Sequence, residues 1–131
     1  ALIEKCKFFR ISKYDFTHKY IIAEMKQQIE NSRKSGTAKA VVLDAPLLLE
    51  AGLDSICDEV WVVFADSETR MNRIIERDGV SAETARARIA SQKNWEEYQK
   101  AADKIIDNSR DIAFVEEQVS QLVKNLEQDA E

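Results

Sequence analysis

Asp44-Ala45-Pro46-Leu47-Leu48-Leu49-Glu50, directly behind the apolar run Ala40-Val41-Val42-Leu43, decides how this chain folds. Four consecutive apolar residues read as a buried strand of a parallel sheet, and a proline two residues past the aspartate stops the strand from continuing. Open α/β sheets bind ligands at the carboxyl ends of their strands, and Asp44 falls at such an end. There a carboxylate can orient a magnesium ion, directly or through water, or accept the proton of an attacking hydroxyl, as in phosphoryl transfer. The same Asp-x-Pro turn is also an ordinary way to begin a loop, and both readings stay open on local grounds.

Working outward, helices alternate with short strands. Ser12 to Thr17 offers N-cap candidates, and Tyr20, Ile22, Met25 and Ile29 keep a helical stripe that runs out near Gly36. After the loop from Asp44 to Ser55, Val60-Trp61-Val62-Val63-Phe64 is a continuous apolar run of the kind covered on both faces. Asp66 or Ser67 can cap a helix that reaches Arg77 and ends at Asp78-Gly79, and Ser81 caps the next, with Glu83 well placed for its dipole. A short polar helix or loop around Trp95 and Tyr98 precedes a third strand at Lys104 to Asp107. Ile112, Val115, Val119, Leu122, Val123 and Leu126 form the apolar face of a closing helix. The pattern is an α/β parallel-sheet architecture in a single domain spanning residues 1–131.

Composition narrows the function classes. The formal net charge of -5 speaks against a nucleic-acid partner, because backbone affinity rests on clustered Lys and Arg. No apolar run approaches the ~18 residues of a membrane span. Cys6 and Cys57 lack metal-ligand spacing and fit a reducing, cytoplasmic setting. The charge is uneven: Arg70, Arg73, Arg77, Arg86 and Arg88 crowd into nineteen residues, which suggests a local anion site. Arg70, Arg73 and Arg77 share one helical face, either converging on phosphates or forming a solvated face paired with Glu68, Glu76 and Asp78.

Five segments in order carry a family resemblance: Asp44 to Leu53, Cys57 to Val63, Arg73 to Ser81 with its Arg-x-x-x-Arg-Asp element, Arg88 to Gln92, and Ala102 to Ser109. Together they resemble dephospho-CoA kinase, the last enzyme of coenzyme A synthesis, from about Thr17 to the C-terminus. The resemblance implies a three-layer P-loop kinase fold with residues 67–101 as lid and substrate-side helices. It implies transfer of the γ-phosphoryl of Mg-ATP to the ribose 3'-hydroxyl of dephospho-CoA, with ATP and Mg2+ required. Asp44, Arg73 and Arg77 take catalytic places, and no residue set is a dedicated metal site. Pro46, Leu47, Glu50, Gln92 and His18 fall on the substrate side, although Lys19 stands where the family has a proline after the histidine. Asn108 and Ser109 fall beside the adenine, and they also suit a turn and N-cap for the last helix. Trp95 and Tyr98 suit either stacking on a nucleotide or half-buried packing.

The phosphate loop of that family, G-x-x-x-x-G-K-[ST], does not occur here; Gly36, Gly52 and Gly79 form no such pair. The expectation is a kinase without its N-terminal part, inactive alone. The family's phosphate-loop strand lies between the strands that here are 40–43 and 60–64, so both would lack their shared neighbour and self-association through them is expected. Alternatives are a non-catalytic CoA or nucleotide-binding module, a helical interaction protein, and a neighbouring nucleoside monophosphate kinase. The Asp-x-Pro-Leu-Leu turn and the Asp107-Asn108-Ser109 ending favour the CoA branch over the last.

Overall fold

The computed structural model describes residues 6–10, 19–46 and 48–129. His18, Leu47 and the cap candidates Ser12 to Thr17 lie outside the described residues. The chain forms two compact units, one of Ala1–Ser55 with Val123–Glu131 and one of Ile56–Leu122.

In the first unit, β1 (Cys6–Arg10) pairs in parallel with β2 (Ala40–Asp44), in a register that sets Cys6 beside Ala40 and Arg10 beside Asp44. β1 was not expected, because Lys7 and Arg10 interrupt its five residues and leave too little periodicity to mark a strand. Helix α1 (Lys19–Ser35) connects the two, as a parallel pair requires. Of its expected stripe, Tyr20 lies outside the described side chains, Met25 is buried, Ile22 and Ile29 are half-buried, and the next position on that face is Ser32. The Ser32 hydroxyl is satisfied by donating to the Gln28 carbonyl at 2.9 Å, which removes the cost of burying it. Gly36, at φ 61°, closes the helix with its N–H on the Arg33 carbonyl.

In the second unit, β3 (Trp61–Phe64) pairs in parallel with β4 (Lys104–Asp107), Trp61 beside Lys104 and Phe64 beside Asp107. Their N-terminal ends are pinned reciprocally. The Val60 N–H donates to the Asp103 carboxylate at 2.8 Å and the Asp103 N–H to the Val60 carbonyl at 2.9 Å. Between the strands run α2 (Ser67–Asp78), α3 (Ala82–Ala90) and α4 (Trp95–Ala101). Asp66, Ser81 and Asn94 cap them, each accepting a first-turn backbone N–H, and Gly79 ends α2 in the left-handed conformation. Trp95 packs on Phe64 with ring centroids 4.5 Å apart, the packing alternative for that tryptophan. The closing helix α5 (Ile112–Asp129) begins in this unit and ends in the other.

The α/β class with parallel strand pairs agrees with the sequence. Three details do not. The run at 60–64 does not have both faces covered: Val63 stays 59% exposed, and among the described residues β3 has one bonded neighbour. Ile112 is 69% exposed, because it sits at the tip of α5, ahead of the half-buried positions Val115, Val119 and Leu122. The cap of α5 is Asp111, whose carboxylate accepts from the Phe114 N–H at 3.0 Å, so Asn108 and Ser109 belong to the preceding turn alone.

Among the described residues β2 pairs only with β1 and β3 only with β4. Buried apolar side chains there are limited to Met25, Leu53, Ala85 and Ile106. Against a typical domain stability of about 5 to 15 kcal/mol, so thin a core and strand pairs open at both edges among the described residues leave little margin. The 131-residue chain is therefore expected to unfold broadly and to associate with rising concentration. A sharp, concentration-independent melt of a monomer in sedimentation and calorimetry would contradict this.

The Asp66 cap yields a pH test. Bonding from the Thr69 N–H, and then from the Thr69 hydroxyl, holds the Asp66 carboxyl below its ordinary value. A carboxyl with a depressed folded pKa contributes stability above its unfolded pKa, and that contribution fades as pH falls through the folded one. Protection of the Thr69 amide from hydrogen exchange should thus drop in acid below pH 4 in the parent and stay flat with pH in Asp66→Asn. Equal pH dependence in both would rule out the carboxylate as its source.

Candidate functional site

The C-terminal ends of β3 and β4 lie side by side, and the turns that leave them are tied together. The Asn108 N–H donates to the Phe64 carbonyl at 2.6 Å, extending the strand pairing by one residue. The Asp66 N–H donates to the Ser109 hydroxyl at 3.1 Å, joining the turn before α2 to the turn before α5. The Ser109 N–H in turn donates to the Asp107 carboxylate at 2.9 Å, and this bond is the main reason that carboxyl sits below its usual range. An Asx turn of this kind fixes the backbone where a ligand edge is expected in an open parallel sheet.

Arg73 reaches this corner from α2. Its Nη1 donates to the Asn108 carbonyl at 2.7 Å and its Nη2 to the Arg110 carbonyl at 3.3 Å. The planar guanidinium offers its donors in a fixed fork, so two carbonyls two residues apart are held at once. The sequence grouped Arg70, Arg73 and Arg77 on one face; the structure gives each a different acceptor. Arg70 donates to the Gln92 side-chain oxygen, bridging α2 to the end of α3. Arg77 makes a two-point contact with Asp78, Nε at 2.7 Å and Nη2 at 3.0 Å.

Asp78 also accepts from Arg88 Nη1 on α3, so one carboxylate gathers two guanidinium groups. The Arg77 guanidinium, and with it Arg88, pulls the Asp78 carboxyl down, while the Asp78 hydrogen bond pushes the Arg77 value up. Both stay ionised at neutral pH. The Arg77 side chain is 75% exposed even so, which leaves it open to an incoming anion. Arg88 was counted in the sequence without a role. Its signal was the Arg-Asp pair at 77–78 followed ten residues later by a further arginine.

In the other unit, Asp44 is the last residue of β2 and is exposed. Past exposed Pro46, the turn to Glu50 is closed by the Leu48 N–H on the Ala45 carbonyl, the Gly52 N–H on the Leu49 carbonyl and the Leu53 N–H on the Leu48 carbonyl. A 3-10 turn, Leu53–Ile56, follows and buries Leu53. Exposed Asp44 and Glu50 thus stand on a turn anchored by one apolar residue. Among the described residues no group of three or more His, Cys, Asp or Glu side chains is arranged to hold a metal. None of the described helices is long and apolar enough to cross a membrane.

Sequence reasoning missed Gln118. Its side chain accepts from the Asp107 N–H at 2.9 Å and donates to the Asp107 carbonyl at 2.9 Å and the Phe114 carbonyl at 3.0 Å. Nothing in the sequence sets it apart from other polar positions beside the apolar stripe of α5, where it stands between Val115 and Val119.

The profile of the dephospho-CoA kinase family matches residues 14–113. The dephospho-CoA kinase of Symbiobacterium thermophilum is 50% identical over 91 residues, 70% of this chain and 38% of that protein. That of Carboxydothermus hydrogenoformans is 41% identical over 103 residues, 79% of this chain and 50% of its own. Among solved structures, dephospho-CoA kinase from Campylobacter jejuni aligns with a TM-score of 0.60 at 29% identity, over 90% of this chain and 58% of its own. The chain spans about half the length of the curated relatives it matches. A match that takes in the Asp44 turn, the arginine helix and the Asn108-Ser109 corner means that this chain belongs to the dephospho-CoA kinase family.

Proposed function

We propose that the chain carries the acidic strand end, lid arginines and adenine edge of an ATP-dependent kinase that phosphorylates the ribose 3'-hydroxyl of dephospho-CoA, giving coenzyme A. The observation that supports it best is the Arg73 fork on the Asn108 and Arg110 carbonyls. It ties the arginine helix to the turn where the family resemblance puts the adenine.

The roles divide by chemistry. Asn108 and Ser109, held by Phe64, Asp66 and Arg73, present a rigid edge to the base. Arg77 leaves Asp78 for the transferring phosphoryl group, since a phosphate matches the same two-point geometry and carries more charge. Arg73 orders the turn beneath it. Asp44 and the turn from Pro46 through Leu47 to Glu50, with Gln92 and His18, serve the substrate side. Magnesium keeps several waters and takes one or two carboxylates beside phosphate oxygens, so exposed Asp44 fits it, and the ion there would neutralise phosphate charge. Asp44 can otherwise receive the hydroxyl proton. The partners are small molecules, dephospho-CoA and ATP, and the setting is cytoplasmic.

These 131 residues contain no G-x-x-x-x-G-K-[ST] loop, so the cradle for the β and γ phosphates has to come from elsewhere. Positioning supplies most of the rate in such transfers, and part of a site does not give part of the activity. The chain alone is expected to show no dephospho-CoA-dependent consumption of ATP in a coupled assay; measurable turnover would overturn the assignment of roles. Weak dephospho-CoA binding, with no turnover even once a phosphate loop is supplied, would favour a non-catalytic binding module.

In the full-length enzyme, Arg77→Ala should lower kcat by a factor on the order of 100, as loss of a transition-state charge contact does. Turnover within about twofold of the parent would exclude Arg77 from the charge-stabilising role.

A further inference from the structure

The last residue of β4 has its backbone satisfied by a side chain from another element. Gln118, half-buried on α5, accepts from the Asp107 N–H and donates to the Asp107 carbonyl, both at 2.9 Å. One amide thus does for Asp107 what a further strand would do, offering an acceptor and a donor to the same residue. Its second donor bond, to the Phe114 carbonyl at 3.0 Å one helical turn earlier, fixes the side chain against its own helix.

Asp107 is where the turn begins. Its carboxylate receives the Ser109 N–H, Asn108 is bonded to Phe64 and Arg73, and the Ser109 hydroxyl receives the Asp66 N–H. Those ties approach from β3 and α2, and Gln118 approaches from α5. Without it, the Asp107 backbone N–H and carbonyl would lose their side-chain partner, and the turn after β4 would rest on the bonds from β3 and α2 alone.

We infer that Gln118 is a positioning residue for the nucleotide: by holding both backbone groups of Asp107 it sets the direction in which the chain leaves β4, and so places Asn108 and Ser109 for the base. The inference rests on the reading above, in which those two residues meet the adenine of ATP. A purely structural role would weaken the whole enzyme. A positioning role acts on one substrate.

The test is steady-state kinetics of Gln118→Met in the full-length enzyme, with ATP and dephospho-CoA varied separately. The side chain keeps its length and apolar contacts and loses both bonds to Asp107. The expected result is a KM for ATP raised about tenfold, with kcat and the KM for dephospho-CoA held within about twofold. Parallel rises in both KM values, a fall confined to kcat, or unchanged constants in a folded variant would each overturn the inference. If Gln118→Met does not fold, Gln118→Glu keeps the acceptor for the Asp107 N–H and loses the donor. It should raise the KM for ATP alone, and no change would be equally decisive against the proposal. A parent enzyme with no ATP-dependent phosphorylation of dephospho-CoA removes the functional reading and this inference with it. An active parent with an insensitive Gln118 removes the inference only.

Discussion

The reciprocal bonds between Val60 and Asp103 set the register of β3 on β4, and the corner at the opposite end of the strands depends on that register. Strand side chains alternate between faces, so a slip of one residue would turn Ile106, now buried, to the face of exposed Ile105. It would also move the Asn108 N–H off the Phe64 carbonyl and draw the Asn108 carbonyl away from Arg73. Asp103, just ahead of β4, uses both its side chain and its backbone on Val60, and the Lys104 N–H adds a longer bond to the same carbonyl at 3.3 Å. A polar contact at the solvent-facing start of two short strands thereby controls geometry four residues away, because a parallel pair this short has few other bonds to hold it.

Much of this was legible in the sequence, for local reasons. Asp66, Ser81 and Gly79 mark the ends of α2 and the start of α3, since a cap needs only a side-chain oxygen, or a missing Cβ, at one position. Strand β4 was found to the residue because Lys104 to Asp107 is bounded by polar turns. What escaped is non-local. β1 is recognisable as a strand only once β2 lies beside it, and the basic residues Lys7 and Arg10 around Phe8-Phe9 hide it from any periodicity test. Arg73 was picked out by its spacing, but its acceptors are backbone carbonyls thirty-five and thirty-seven positions along the chain, and carbonyls leave no trace in sequence. Gln118 was hidden because an amide beside an apolar stripe looks like any other polar position until its partners are seen.

The crowded arginines can be understood in the same physical terms. Five guanidinium groups within nineteen residues would repel one another and strain the short helices that carry them. The structure disperses that repulsion for four of the five: Arg73 onto carbonyls, Arg70 onto an amide, and Arg77 with Arg88 onto Asp78. None of these acceptors carries more than a single negative charge, and Asp78 shares its charge between two partners. Under the proposed function, a phosphate group would offer more charge and more acceptor oxygens to the same donors, so exchange would favour the ligand without any need to build a new site. Exposed pairs of this kind add little to stability, and their value lies in keeping the arginines extended and oriented.

Among the described residues β2 and β3 each have an open edge, and under the proposed function these edges would connect stability with activity. Each edge strand carries an exposed valine, Val42 at 37% and Val63 at 59%, and neither Ala40–Asp44 nor Trp61–Phe64 contains a lysine or a proline of the sort that protects free edges from pairing. Their shortness is the remaining protection, since four or five residues give few bonds to an intruding strand. Both edges therefore favour whatever chain segment can lie against them, and under the proposed function the segment that brings the phosphate loop is also the one that would supply strand pairing. Binding the triphosphate and completing the sheet would then draw on the same residues. On that reading, the stability of each short strand pair would depend on the segment that carries the loop.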